Sequence, residues 1–140
     1  MSQRIEQPNA EDLDRIESQR GWVRDHYESD ARDQYDLLEG KLRLLDTIVR
    51  SNWIEPSETV KLQCLGVTLG DAFVQELGMC WVSVEDEYGR DPAVQLPGTS
   101  IVLYPLTMIS KRIEQGEEVD VYATFSVICA KVRELVASGV

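Results

Sequence analysis

The sequence predicts an α+β fold: a helical bundle of about five helices with a small three-stranded antiparallel β-meander inserted between the third and fourth helices. Three observations predict it. Long segments on both sides of the middle repeat apolar residues at steps of three and four, the spacing of a buried helical stripe. From residue 79 to residue 104 the period falls to two, as strands with alternating faces require. Pro56, Gly78, Pro97-Gly98, Pro105 and Gly116 fall at the joints between these segments. At 140 residues and 43% apolar composition the chain reads as one domain, 1–140. It divides into an N-terminal helical arm at 1–53 and a core at 54–140 holding a helix, the meander and two C-terminal helices. A domain of this size buries roughly two thirds of its unfolded surface.

Asn9 opens the first helix. Its side chain can accept from the amide of Asp12, Pro8 blocks extension backwards, and Glu11, Asp12 and Asp14 suit the positive helix end. Leu13, Ile16, Val23 and Tyr27 share one face, with Gly21 a weak point and a break near Ser29 and Asp30. The second helix carries the clearest stripe: Leu38, Leu42, Leu45, Val49 and Trp53, widened by Leu37, Leu44 and Ile48. Lys41, Arg43, Asp46 and Arg50 stay outside it, and Pro56 closes the helix off. A third helix is expected over 57–76, with Leu62, Leu65, Leu69, Phe73 and Leu77 on one face and Val60, Cys64, Val67 and Val74 on an adjacent one. Its narrow polar surface makes it the central helix. Gly66 and Gly70, four apart, mark a place where another backbone packs close. Gly78 ends it in the left-handed conformation.

A strand at 79–86 sets Trp81, Ser83 and Glu85 on one side and Cys80, Val82 and Val84 on the other. Residues 87–91 form a hairpin turn in which Gly89 takes positive φ, and a short second strand follows at 93–96. Pro97-Gly98 fits the centre of a type II turn, and a third strand, apolar on both faces, covers 100–104. Pro105 stops it for want of an N–H. Thr107 is expected to cap a short helix over 108–115 that Gly116 terminates. Asp120 caps the last helix, whose stripe is Val121, Phe125, Ile128, Val132, Leu135 and Val136.

Charge narrows the function. The formal net charge is −11, and residues 1–40 alone hold 11 acids against 5 bases. Such a chain repels phosphate backbones and anionic lipid, so nucleic acid and membrane surfaces are disfavoured and a basic protein partner is favoured. No apolar run approaches the ~20 residues of a membrane span, and the opening MSQRIEQPNAEDLDR lacks the apolar core of a signal peptide. Cys64, Cys80 and Cys129 are odd in number and isolated in apolar settings, which suits reduced thiols. The expected compartment is the cytoplasm.

The string LGVTLGDAFVQELGMCWVSVEDEYGRDPAVQLPGTSIVLYPLTMISKRIEQGEEVDV carries further information. Through Leu65-Gly66, Leu69-Gly70, Glu76-Leu77-Gly78, Trp81-Val82, Asp86-Glu87-Tyr88-Gly89, Pro105-Leu106, Ser110-Lys111-Arg112 and Gly116-Glu117, it resembles a bacterial family known as domain of unknown function 3806. The resemblance covers roughly residues 55–125. It implies a fold and a bacterial source, and it transfers no catalytic residue.

Motif by motif, no reacting centre emerges. Glu85, Asp86, Glu87 and Asp91 suggest a calcium loop, but Tyr88 takes a ligand position and no glutamate closes the loop, so a solvated hairpin tip is expected. His26, the single histidine, lies far in sequence from every cysteine, leaving zinc or a thiol nucleophile without partners. No catalytic, metal-ligating or cofactor-binding residue is assigned. Lys111 and Arg112 are expected to pair with Asp86, Glu87 or Glu114 and tie their helix to the hairpin, an anion or partner contact being the alternative. Trp81, Tyr88 and Tyr104 could line a peptide groove, though strand aromatics more often pack beneath helices.

The leading expectation is a non-enzymatic acidic protein-interaction module of a regulatory or toxin-neutralising type. The alternative is a small-molecule-binding protein or hydrolytic enzyme with a pocket between the meander and the 107–115 helix. The candidate interaction or pocket residues are Trp81, Glu85, Asp86, Tyr88, Tyr104, Lys111 and Arg112. The broad apolar face of the second helix adds homo-oligomerisation through the N-terminal helices as a further expectation.

Overall fold

Apolar side chains on nearly every face force one helix into the middle of the molecule. In the computed structural model, which describes residues 3–139, that helix is α3 (Thr59–Leu77), with Leu62 and every residue from Cys64 to Phe73 buried. Around it pack α1 (Ala10–Arg24), α2 (Leu38–Ser51), α4 (Pro105–Glu114) and α5 (Val121–Ala137), with a 3-10 turn at Arg32–Asp36 between α1 and α2. A curled antiparallel sheet of β1 (Arg4–Glu6), β2 (Cys80–Asp86), β3 (Gly89–Gln95) and β4 (Val102–Leu103) runs in the order β1-β2-β3-β4. Phe73 of α3 stacks on Phe125 of α5 with ring centroids 5.3 Å apart. Burying one such side chain stabilises the fold by about 1.5–3 kcal/mol. Met1, Ser2 and Val140, the ends of the expected 1–140 unit, lie outside the described residues.

The glycine pair in α3 positions α4. A Cβ on Gly66 would lie 2.3 Å from Leu106 Cα and 2.6 Å from the Pro105 carbonyl oxygen; one on Gly70 would lie 2.5 Å from the Trp81 ring. The start of α4 therefore rests on the backbone of α3, and the indole of β2 lies beside it. This is the close approach the four-residue spacing predicts. Gly78, φ 72, then turns the chain out of α3 into β2.

Five helices form as expected, but the sheet has four strands rather than three. β1 has three residues with exposed side chains and so no apolar period to read. It is held by backbone pairing to the open edge of β2, in the register Arg4↔Glu85, Ile5↔Val84 and Glu6↔Ser83. β3 starts at Gly89 instead of residue 93, because Asp86↔Gly89 closes the hairpin around Glu87-Tyr88. β4 shrinks to two residues. Helix α4 begins at Pro105, whose missing N–H costs nothing at a first helical position; Thr107 is inside that first turn rather than its cap. The caps at Asn9 and Asp120 form as expected, accepting from the amides of Asp12 at 2.8 Å and Ala123 at 3.0 Å.

Several side chains depart from their expected faces. Asn52, φ 56, ends α2 in the left-handed region, which leaves Trp53 60% exposed instead of in the stripe. Leu13, Leu37, Val60 and Val136 also face solvent. Lys41 is buried: its ammonium lies 5.2 Å from the Tyr35 ring centre and donates to Gln75 Oε1 at 2.7 Å, so a long stem snorkels through the core edge. The broad face of α2 is covered within the chain, Leu42, Leu44, Leu45 and Ile48 packing into the same core cluster as residues of α3 and α5.

Candidate functional site

A carboxylate in the middle of a helix without a polar face must find partners, since an unpaired buried charge is too costly to keep. Asp71 of α3 finds three, which supply four donors. Arg20 of α1 grips it through Nε at 2.6 Å and a terminal nitrogen at 2.7 Å, the Tyr35 hydroxyl donates at 2.8 Å, and the Trp81 indole N–H donates at 3.0 Å. Each carboxylate oxygen receives two donors, so its acceptor capacity is filled. Tyr35's one hydroxyl proton goes to Asp71, and Thr68 donates to the phenol oxygen at 2.9 Å. Burial first, and then the charge of Asp71, push the Tyr35 phenol far above its usual range, so it remains a donor. With no acceptor site open, this hub joins α1, the 3-10 turn, α3 and β2.

A second network ties the hairpin to the N-terminal segment. The Arg90 guanidinium donates to Asp12 at 2.8 Å and to Glu6 at 2.5 Å, while the Ser83 hydroxyl donates to Asp12 at 2.8 Å. The Arg90 contact holds the Asp12 carboxyl well below the usual carboxylate range, against the opposing effect of burial and with help from the Asn9 amide. Glu6 is lowered by the same guanidinium.

The seven residues singled out from the sequence are dispersed. Trp81 belongs to the Asp71 hub. Glu85 pairs with Arg4 of β1, and Asp86 accepts from the amide of Tyr88, which stands 89% exposed at the hairpin tip. Tyr104 precedes α4, and the curl of the sheet lets Gln3 donate to its hydroxyl at 3.5 Å. Lys111 and Arg112 lie on the exposed side of α4. The expected ion pairs to Asp86, Glu87 or Glu114 do not form; Arg112 instead donates to Thr124 at 3.3 Å, because α4 runs toward α5 and not toward the hairpin. Among the described residues the one hydrogen bond joining two of the seven is that local Tyr88–Asp86 turn contact, and no group of three or more His, Cys, Asp or Glu could hold a metal ion.

The open space lies elsewhere. A cavity of about 910 Å³ separates the α2–α3 connection from the α4–α5 connection. Its floor is apolar, with Val49, Ile54, Ile113 and Val119 half-buried over Leu62 and Leu65. Its rim carries Glu55, Glu117, Glu118 and Asp120 against one cation, Arg50. Two left-handed residues shape the walls: Asn52 turns the chain out of α2, and Gly116, φ 76, turns it out of α4 so that Glu117 donates back to the Arg112 carbonyl at 2.9 Å. A smaller cavity of about 380 Å³ is lined by Ser100 to Leu103, Met108, Ile128, Lys131, Val132 and Leu135. None of the seven sequence candidates lines either cavity. The larger cleft was foreshadowed only by Gly116 followed by Glu117 and Glu118; Asp71 was foreshadowed by being an acid inside a buried stripe.

Together these features define a small α+β domain, centred on one buried helix, with its buried carboxylate paired and an acid-rimmed cleft. The chain belongs to the family described as Domain of unknown function (DUF3806), whose model matches residues 41–125, more than half of the sequence. The match opens at Lys41 and so takes in α2 as well as the expected 55–125 segment. A crystal structure from Bacteroides thetaiotaomicron VPI-5482 at 1.50 Å resolution is similar in fold, with a TM-score of 0.73 and 14% identity over 92% of this chain. This chain spans 48% of that one. No curated protein matches the chain. Among the described residues, no helix is long and apolar enough to cross a membrane.

Proposed function

We propose that the protein is a non-enzymatic acidic interaction module that receives a basic segment of another protein in the cleft between the α2–α3 and α4–α5 connections. The observation that carries this reading is the cleft: an apolar floor, four carboxylates on the rim and one cation, on a chain of net charge −11. Carboxylates set around apolar surface suit a partner that brings lysine or arginine beside an apolar side chain. The neutral alternative, that these acids serve only solubility, does not account for their placement around the larger of these two cavities. Regulation of a basic protein, or neutralisation of a basic toxin, are forms such a module would take.

The test uses the full chain as bait beside a Glu117→Lys/Glu118→Lys variant. A basic protein retained by the first should be released by the variant and by raised salt, and the purified pair should reproduce both effects. If the purified wild-type chain retains no basic polypeptide at low salt, or if charge reversal on the rim leaves binding unchanged, the reading is wrong.

A second reading rests on the 380 Å³ cavity at the seam of β4, α4 and α5, close to where a pocket beside the meander is expected. Its lining is mostly apolar with Lys131 at hand, which fits a small apolar ligand bearing an acid better than it fits hydrolysis. A thermal-shift screen with medium-chain carboxylates tests it; a saturating ligand at about 100 times its Kd adds about 2.7 kcal/mol. No shift with any chain length removes it.

A further inference from the structure

Resting on the reading that the cleft receives a basic segment, we infer that Arg50 is its specificity-determining residue, a cation lining the cleft whose charge opposes a weakly basic segment. The cognate segment sets an apolar side chain on the floor formed by Ile54, Ile113 and Val119 while its lysines or arginines reach the carboxylates of the rim.

The geometry supports each part. Arg50 is in the last turn of α2, lines the cleft and keeps its side chain 71% exposed. Its Nε donates to both oxygens of Asp46, at 2.9 and 3.0 Å. Among the described residues its two terminal nitrogens have no partner, so the outer fork of the guanidinium remains available to the rim. Glu118 and Asp120 act on the same group, adding to the upward shift that Asp46 dominates. Asp46 does not line the cleft, so this pair leaves the Arg50 charge beside the path of an incoming segment. Glu117 and Glu118 have no side-chain partner among the described residues, and with Glu55 and Asp120 they outnumber the single arginine. A segment with one cation gains little against the charge of Arg50. One with two or three gains the carboxylates that Arg50 leaves unmatched, and the apolar floor selects among them.

The probe is a short fluorescein-labelled synthetic peptide of alternating leucine and arginine, titrated by anisotropy into the full-length chain. Arg50→Gln should tighten binding by about threefold, the scale of one exposed ion pair, whereas Arg50→Lys, which keeps the charge, should bind like the wild type. Glu117→Gln/Glu118→Gln should weaken binding by about fivefold, and Glu87→Gln/Asp91→Asn, an equal charge change on the hairpin, should leave it within about twofold. Replacing leucine by serine in the peptide should weaken binding to every variant. Wild-type binding that Arg50→Gln leaves unchanged or weakens overturns the role of Arg50 and leaves the cleft reading standing. Equal losses in the cleft and hairpin variants overturn both, as does failure of wild type and Arg50→Gln alike to bind at low salt. Full competition by spermine, with serine peptides binding as well as leucine peptides, overturns the apolar part of the recognition.

Discussion

Replacing Asp71 tests the idea that one saturated carboxylate fastens the N-terminal arm to the core. Asp71→Ala removes the acceptor for four donors at once: two from Arg20, one from Tyr35 and one from Trp81. The losses are unequal. Arg20 keeps its 2.7 Å contact with Glu17 and, with a quarter of its side chain exposed, can turn to water. Tyr35 is nearly fully buried, and its phenol can donate to Thr68 instead; the Trp81 N–H has no second partner among the described residues. Breaking a buried ion pair from one side costs about 3–5 kcal/mol, and the partial exposure of Arg20 places this case near 3 kcal/mol. For a chain of this length that corresponds to a fall in Tm of about 10 °C. Asp71→Asn should be nearly as damaging. Both oxygens receive two donors each, so whichever way the amide flips, its NH2 faces two N–H or O–H groups. Urea unfolding followed by tryptophan fluorescence measures both variants, with Trp81 reporting on the hub directly. A loss below about 1 kcal/mol in both, or wild-type stability in Asp71→Asn, would refute the claim that the charge is needed there.

Two other perturbations have definite signs. Gly66→Ala should cost about 2–3 kcal/mol, because the new Cβ meets backbone atoms of Leu106 and Pro105 that can yield only if α4 moves; Gly78→Ala, with φ 72 but open space, should cost about 1 kcal/mol. Thermal denaturation ranks the two, and the reverse order would mean that α4 does not sit on the α3 backbone. Stability should also fall with acid. The Asp12 carboxyl lies below its unfolded value through Arg90, and Glu6 and Glu17 lie below theirs through Arg90 and Arg20. Groups lowered in the folded state contribute stability that is present above the unfolded carboxylate range and is lost as pH falls from about 4 toward their folded values. Asp12→Asn should lower stability at neutral pH and flatten that acid limb; an unchanged limb in urea titrations across the range would count against the network.

What could be read from the sequence was local, and what could not was not. Asn9, Gly78, Pro97-Gly98 and Asp120 act on neighbours within four residues, so their caps and turns follow from residue type. Gly66 and Gly70 gave the close approach, but only the fold names Leu106, Pro105 and Trp81 as what approaches. Strand β1 escaped because three exposed residues paired through backbone carry no side-chain period. The polar networks escaped for a different reason: Arg20 meets Asp71 across 51 residues and Arg90 meets Asp12 across 78, so no window spans either pair. Lys111 and Arg112 attracted notice by being adjacent, yet adjacency on a helix sends side chains in different directions. The quieter signal was better. An aspartate between Gly70 and Ala72, in a helix with no polar face, can persist only if several donors converge on it.

That same distribution of charge bears on function. A general base needs an acceptor site free to take a proton, and the buried carboxylate has none, since Arg20, Tyr35 and Trp81 fill all four. The carboxylates with free acceptor sites sit in the opposite setting, exposed on the rim of the cleft, where Glu117 and Glu118 can meet a cation. Solvated charge contributes little to affinity per pair but raises the rate of encounter with an oppositely charged partner and makes that rate fall with salt. The apolar floor must then supply retention. An association rate that drops with salt, combined with a dissociation rate that rises when Ile54→Ser makes the floor polar, is the kinetic pattern this division of labour requires; a dissociation rate indifferent to Ile54 would leave the cleft no part in holding its partner.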